Sequence, residues 1–277
     1  MTRVFGVIGH PIHHSLSPAM HAATFRALDL DALYAAFDVP PRFLAPMLRA
    51  FVLSGVEGLN VTVPLKERVA PLLDHVDPAA AAIGAVNTIV IRHRRTTGYN
   101  TDGVGFRRAL EELGWRGRRA SVVILGAGGA ARAVAWELGR VRGSRLTIAN
   151  RHPRRAQALA RWLRRHRTGI QVEAIPLSRV SLEGAALVVN ATTLGMRKTD
   201  GSPVNPALLH RGLTVYDLVY HRQTPLVRAA RRRGCVAANG LSMLLYQGAE
   251  SLRLWLHREP PVDVMRRALG QALHSPR

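Results

Sequence analysis

A chain of 277 residues is longer than one hydrophobic core usually organises, so two domains are expected. Its apolar fraction of 47% suits a globular enzyme, and no apolar run approaches the ~18 residues that a membrane span needs. The net charge of +21 raises nucleic acid as a partner, but the basic residues are spread over many helical faces, as in Arg151 to Arg167, and five Tyr and six Phe make no stacking platform. No nucleic-acid partner is expected. Arg3-Val-Phe-Gly-Val-Ile8 lacks the apolar core and cleavage site of a signal peptide, so the protein reads as cytoplasmic. Cys235, the single cysteine, excludes an intrachain disulfide and a multi-cysteine zinc site, and its apolar setting reads as a buried thiol.

In chain order, Val4 to Gly9 reads as a strand, and Ser17-Pro18 opens a helix with the serine as cap and proline at its first position. Leu33 to Val39 is a strand, Pro40 to Ser54 a helix, Gly58 to Val63 a strand, Lys66 to Leu73 a short helix and Thr88 to Arg92 a further strand. Gly103 to Leu113 connects this α/β domain to a second one, with strands at Ser121 to Leu125, Arg145 to Ala149, Gln171 to Ile175, Leu187 to Asn190 and Thr214 to Asp217. Strands alternating with helices imply a parallel, doubly wound sheet. From Gly240 onward the pattern is helical; Leu244 to Leu256 and Val262 to Leu273 have no following strand and are expected to fold back on the first domain.

The run Ser121-Val-Val-Ile-Leu125 leads into Gly126-Ala127-Gly128-Gly129-Ala130-Ala131 and then a helix-forming segment. In such a unit Gly126 permits the tight turn, Gly128 lets the backbone approach a pyrophosphate, and Ala131 allows close helix-strand packing. The helix start offers unpaired N–H donors and a positive dipole end. About 20 residues on, where an NAD enzyme carries an acid for the ribose 2′-hydroxyl, stands Asn150-Arg151. A carboxylate would repel a 2′-phosphate, whereas the guanidinium forks of Arg151 and Arg155 can grip one, so NADP is favoured over NAD. This is a Rossmann-type unit.

The chain holds two lysines, Lys66 and Lys198, against arginine at every other fixed positive position. Lysine can give up a proton where arginine cannot, which draws attention to Lys66 after Asn60-Val-Thr62-Val-Pro-Leu65. By itself it reads equally as a surface lysine. Gly98-Tyr-Asn100-Thr-Asp102-Gly103 is a polar turn, in which Asp102 alone reads equally as a helix cap.

Together these segments resemble the shikimate dehydrogenase family. Gly9-His-Pro-Ile-His-His-Ser15-Leu-Ser17-Pro18-Ala-Met-His21 is similar to its opening motif, Asn60-Val-Thr62-Val-Pro-Leu-Lys66 to its lysine motif, Gly84-Ala-Val-Asn87-Thr88 to its substrate loop and Asn100-Thr-Asp102 to its aspartate motif. Asn190-Ala-Thr192-Thr-Leu-Gly195-Met196, Asp217-Leu218-Val-Tyr220 and Gly240-Leu-Ser-Met243-Leu-Leu-Tyr-Gln247-Gly248 continue the likeness over nearly the whole chain. The resemblance implies NADPH-dependent, reversible reduction of 3-dehydroshikimate to shikimate in aromatic amino acid (chorismate) biosynthesis. It implies Lys66 as proton donor and acceptor with Asp102 orienting it. Ser15, Ser17 and Tyr220 would hold a carboxylate, and Asn60, Thr62, Asn87 and Gln247 would read ring hydroxyls. Gly126, Ala127, Gly128, Gly129, Ala130, Asn150, Arg151, Arg155, Thr192, Leu218, Gly240 and Met243 would line the NADP site. His152, where threonine is common, and Ala22, where asparagine often stands, depart from the family pattern.

The expected fold is α/β throughout: a substrate domain over 1–102, a Rossmann NADP-binding domain over 103–238, and C-terminal helices over 239–277 that return to the first domain, with substrate at a cleft between the domains. His10, His13, His14 and His21 are not expected to hold a metal, since no carboxylates stand near them in sequence and hydride transfer needs none. The partner is a small-molecule substrate, with no membrane association, and the protein is a monomer or homodimer. A quinate or aminoshikimate dehydrogenase on the same scaffold is the nearest alternative, disfavoured by Ser17 in place of a bulkier threonine and by Arg151 in place of an acid. A basic nucleic-acid-binding protein with a nucleotide fold is the alternative of another class.

Overall fold

The computed structural model describes residues 2–117 and 119–274. The chain forms two compact α/β units, one running to Gly105 and taken up again from Leu244, the other spanning Phe106–Met243. In the first, β1 (Arg3–Gly9), α1 (Ser17–Ala27), β2 (Ala32–Asp38), α2 (Leu44–Leu53), β3 (Val56–Val61), β4 (His75–Val76), α3 (Pro78–Ile83), β5 (Thr88–Arg92) and β6 (Arg95–Tyr99) follow in order. The sheet runs β2-β1-β3-β5-β6-β4. β1 lies parallel to β2 and β3, but β5 runs antiparallel to both β3 and β6, so this sheet is mixed.

Several local expectations need correction. The β5–β6 hairpin turns on His93-Arg94, both at positive φ (49° and 60°), the backbone of a two-residue primed turn built without the usual Asn-Gly. Residues 63–68 form turns and Ala70–Leu72 a short 3-10 stretch, so Lys66 does not start an α-helix. Pro71, with no N–H to donate, cannot continue one. Ser17 is the first residue of α1 rather than its cap, which is Leu16, and no side chain among the described residues caps the start of that helix. Pro41–Phe43 is a 3-10 turn, and the helix begins only at Leu44.

α4 (Asp102–Glu112) leads into the second unit, which holds β7 (Ser121–Leu125), α5 (Gly129–Leu138), β8 (Arg145–Asn150), α6 (Pro153–His166), β9 (Gln171–Pro176), β10 (Leu187–Asn190), β11 (Thr214–Asp217), α7 (Pro225–Arg232) and β12 (Val236–Asn239). All six strands are parallel, in the order β12-β11-β10-β7-β8-β9. Sequence order reverses between β7 and β10, the switch point where doubly wound sheets bind ligands. β10 is buried along its whole length, and β7 everywhere but its first residue, as strands covered on both faces must be. α6 turns Ala156, Leu159, Ala160 and Leu163 inward, which leaves its arginines on the outer face.

α8 (Leu241–Leu256) leads back to the first unit, and α9 (Val262–His274) packs against α1. Trp255 of α8 stacks near Phe5 of β1, with ring centroids 5.1 Å apart, and its Nε1 donates to Ile89 O at 3.0 Å. On the other face of the sheet, Ile8, Leu59, Val61 and Ile89 pack with Leu48 and Phe51 of α2. No helix among the described residues is long and apolar enough to cross a membrane.

His21 of α1 is wholly buried, stacked on Tyr34 at 4.3 Å between centroids, and neither ring nitrogen has a hydrogen-bond partner among the described residues. Burial holds its pKa at about 3, against 6.5 for a free imidazole. Between those values the unfolded chain binds a proton that the folded chain refuses, so this residue's effect is to lower stability as pH falls. At ~1.4 kcal/mol per pH unit, His21→Leu should remove about 2 to 3 kcal/mol of the stability loss between pH 6.5 and 4.5, measured by urea unfolding across that range. An acid limb of unchanged slope would show that the imidazole is not held neutral.

Candidate active site

Lys66 lies in the turn after β3, where its carbonyl accepts from Val86 N at 2.9 Å, and Asp102 opens α4. Lys66 Nζ donates to Asp102 Oδ2 at 2.5 Å, with the two side chains 15% and 5% exposed. The other carboxylate oxygen, Oδ1, accepts from Asn87 Nδ2 at 2.8 Å, and Asp102 N donates to Asn100 Oδ1 at 3.1 Å. Asn87 Oδ1 accepts from Thr101 N at 2.7 Å, and Asn87 Nδ2 also reaches Gln247 Oε1 of α8 at 3.3 Å. Lys66, Asp102, Asn87 and Gln247 are therefore joined in one hydrogen-bonded set, drawn from four separate segments.

Asn60 stands behind this set. Its Oδ1 accepts from Tyr34 Oη at 2.7 Å, while its Nδ2 faces Ser251 Oγ at 2.9 Å and Thr88 Oγ1 and Asn87 O at 3.3 Å each. Both ends of that amide are occupied inside the protein. Thr88 and Ser251 are bonded to each other at 2.8 Å; Thr88 closes the substrate-loop motif without an assigned role, and Ser251, one serine in a helix, looks like an ordinary core residue. The available signal was spacing: Ser251 follows Gln247 by four residues, which puts both on one face of a helix. Thr62 follows β3, its N–H donating to Ile8 O at 2.9 Å, and Ser15 Oγ accepts from Ser17 N at 3.3 Å in the opening-motif loop. His10 Nδ1 lies 2.8 Å from Asp38 Oδ1, a carboxylate that sequence distance concealed. Among the described residues no group of three or more His, Cys, Asp or Glu is placed to hold a metal ion.

Tyr220 belongs to the second unit, as do all the residues expected to hold the nucleotide. Gly126 follows β7 at φ +114°, and a Cβ there would stand 2.7 Å from Ala191 O, so both the conformation and the neighbouring backbone demand glycine. Gly128 caps α5 in an extended conformation, no side chain among the described residues hydrogen-bonds the helix start, and a Cβ on Gly128 would meet no described atom within 4 Å. The first N–H groups of α5 thus have no side-chain cap at the positive end of the helix, an arrangement that suits a pyrophosphate. Ala127 and Ala131 are buried beside them.

At the end of β8, Asn150 Oδ1 accepts from His152 N at 2.8 Å, and Arg151 and Arg155 are exposed on either side of the α6 start. Arg151 borders a groove of about 920 Å³ that Leu177, Val204 and Leu208 also line. Thr192 is held by Asn190, whose Oδ1 accepts from both Thr192 N and Thr192 Oγ1 at 3.1 and 2.7 Å. Leu218 N donates to Asn190 O at 2.9 Å, Gly240 N to Val219 O at 3.3 Å and Met243 N to Tyr216 Oη at 3.2 Å. An acid-free, arginine-flanked strand end beside a glycine turn fits a dinucleotide carrying a 2′-phosphate.

A nucleotide-binding unit of this kind, in one chain with an α/β unit that pairs a buried ammonium with a carboxylate, defines a dinucleotide-dependent oxidoreductase. The chain belongs to the shikimate dehydrogenase family. Its residues 7–89 match the family's substrate binding domain, 108–197 the shikimate / quinate 5-dehydrogenase domain and 240–269 the shikimate 5′-dehydrogenase C-terminal domain. It is 49% identical to the shikimate dehydrogenase (NADP(+)) of Symbiobacterium thermophilum, over 99% of this chain and 95% of that one. The crystal structure of Thermus thermophilus shikimate 5-dehydrogenase in complex with NADP(H) and shikimate is similar at a TM-score of 0.88 and 39% identity, covering 98% of this chain and 100% of that one. Quinate dehydrogenase from Corynebacterium glutamicum in complex with NAD also has a TM-score of 0.88, with 35% identity and coverage of 98% and 99%.

Gly126→Ala forces a β-carbon against the Ala191 carbonyl at an unfavourable φ, so it should cost at least about 2 kcal/mol of stability and abolish measurable NADPH binding. Thermal unfolding and NADPH fluorescence titration check both; wild-type affinity in the variant would remove the turn from the nucleotide site.

Proposed function

We propose that this protein catalyses the NADPH-dependent, reversible reduction of 3-dehydroshikimate to shikimate. The observation that carries the reading is the 2.5 Å pairing of Lys66 with Asp102, fixed from behind by Asn87. Reduction of a ketone adds a hydride to carbon and a proton to oxygen. NADPH, when bound, supplies the hydride and leaves as NADP⁺. Lys66 Nζ delivers the proton to the oxygen as negative charge develops there, and in the oxidative direction the neutral amine takes it back from the hydroxyl. Asp102 keeps the ammonium aimed, and Asn87 keeps Asp102 from turning away.

Ser15, Ser17 and Tyr220 hold the substrate carboxylate through hydroxyl donors, while Asn60, Thr62, Asn87 and Gln247 read the ring hydroxyls. Buried donors of this sort discriminate strongly, because an analogue lacking a hydroxyl leaves its partner unpaired. Gly126 to Ala130 hold the pyrophosphate, Arg151 and Arg155 the 2′-phosphate, with Asn150 shaping the turn between them, and Thr192, Leu218, Gly240 and Met243 complete the nucleotide site. The protein works on a small molecule as a cytoplasmic monomer or homodimer, with no nucleic-acid partner. Following NADPH absorbance with dehydroshikimate present tests the assignment directly. A preference for quinate with NAD would replace it by the activity named for the Corynebacterium relative.

Lys66→Ala should lower turnover about a hundredfold or more while the KM for dehydroshikimate changes far less, the pattern of a lost proton transfer. Steady-state kinetics decide it, and turnover within a fewfold of wild type would dismiss Lys66 as the donor. Arg151→Ala should raise the KM for NADPH about tenfold and leave NADH use within twofold; equal losses with both cofactors would show that Arg151 does not read the phosphate.

A further inference from the structure

Asp217, the last residue of β11, is fully buried in the second unit, yet no charged side chain pairs with it among its hydrogen-bond partners. Its Oδ1 accepts from Asn190 Nδ2 at 2.9 Å and from Val219 N at 3.1 Å, and its Oδ2 accepts from Thr224 Oγ1 at 2.6 Å. Every contact uses the carboxylate as an acceptor, the hydrogen-bond set of an ionised group. Burial holds the carboxyl above its ordinary range, and the bonds from Thr224, Val219 and Asn190 offset only part of that rise.

A buried carboxylate served only by neutral donors is costly, and each donor leads to a different loop. Through Asn190 it governs the 190–194 segment: Asn190 Nδ2 also donates to Leu194 O at 3.0 Å, and Asn190 Oδ1 holds Thr192. Through Val219 N it fixes the turn that carries Leu218 and Tyr220, and Val219 O in turn accepts from Gly240 N. Through Thr224 it sets the start of α7, where the same hydroxyl accepts from Val227 N at 3.2 Å. The three loops emerge from β10, β11 and the approach to α7, beside the switch point of the sheet.

We infer that Asp217 is a positioning residue for nucleotide binding, a single buried carboxylate that holds Thr192, Leu218 and Gly240 in register without touching the nucleotide. The inference rests on the function proposed above. An apolar residue of the same size would leave Asn190 Nδ2, Val219 N and the Thr224 hydroxyl without their shared acceptor; asparagine either sets its N–H groups against Asn190 Nδ2 and Val219 N or keeps those two bonds by donating to Thr224 Oγ1, which reverses that bond, and in both orientations the charge that strengthens all three bonds is gone.

The test is NADPH fluorescence titration, thermal unfolding and steady-state kinetics on wild type, Asp217→Asn and Leu226→Ala. Leu226 is buried in the apolar core beneath α7 and is not among the carboxylate's hydrogen-bond partners, so its truncation destabilises the same region by a cavity alone. Asp217→Asn is expected to weaken NADPH binding at least tenfold while turnover at saturating NADPH stays within about threefold. Leu226→Ala, with an equal or larger fall in Tm, is expected to bind NADPH within twofold of wild type. NADPH affinity within twofold in Asp217→Asn, or an equal loss in Leu226→Ala, overturns the inference. Should Asp217→Asn fail to fold, Asn190→Ala decides in its place: it cuts the branch to Thr192, and the same tenfold loss is expected and the same twofold result overturns. Wild-type protein that binds no NADPH overturns the proposed function and this inference with it, whereas a binding wild type with an unimpaired Asp217→Asn overturns this inference alone.

Discussion

A lysine ammonium and an aspartate carboxylate that are both largely out of water can persist only if each keeps the other, since loss of either leaves a stranded charge whose desolvation is uncompensated. Lys66 and Asp102 meet that condition at 2.5 Å, and much of the first unit is arranged so that they can. Asp102 reaches the pair because β6 returns antiparallel beside β5, which brings Tyr99 opposite Thr88 and sets the start of α4 next to Asn87. Lys66 reaches it because the chain after β3 turns, with its carbonyl pinned by Val86 N, instead of running on as a helix that would carry the side chain around an axis. The hairpin on His93-Arg94 and the irregular stretch after Pro64 are therefore the local features that create the site.

The second unit solves the opposite problem. A dinucleotide brings its own negative charge, and the second unit has a helix start without a side-chain cap at α5 and exposed guanidinium groups, Arg151 and Arg155, after β8, the features proposed above to receive it. Such a site tolerates little movement of its backbone, because a displaced N–H cannot be replaced by a rotamer change. The positioning role inferred for Asp217 answers that requirement, since one buried acceptor with three partners links three loops through a single side chain.

What the sequence made legible follows from the range of the forces involved. The parallel sheet of the second unit was readable because fully buried strands must be apolar along their length, and Leu187–Asn190 and Thr214–Asp217 fall where the residues place them. β12 escaped notice because Val236-Ala-Ala-Asn239 is a short edge strand with one β-branched residue. The β5–β6 hairpin escaped because its primed turn uses two residues that carry no turn signal. The Rossmann turn could be read because its chemistry is local in sequence, whereas Lys66 and Asp102, each equally a surface lysine and a helix cap when taken alone, stand out only through the family resemblance. The hydrogen-bonded layer behind them could not be read: Tyr34, Asn60, Thr88 and Ser251 come from four elements, and only tertiary packing reveals that their polar atoms satisfy one another.

The division of labour between lysine and arginine follows from the same physics. Where the fold needs fixed charge it uses the guanidinium fork: Arg3 engages both oxygens of Glu57, Arg107 bridges Glu111 and Glu137, and Arg167 lies 3.6 Å over the ring of Trp136. These contacts exploit a planar group that stacks and binds in two directions at once and never loses its proton. Permanence is a defect in a proton donor. The buried position opposite Asp102 holds a lysine, whose single nitrogen can be held by one carboxylate and still present a transferable proton elsewhere. In a chain with arginine at nearly every other basic position, a lysine at residue 66 matches the proton-transfer role proposed for it above.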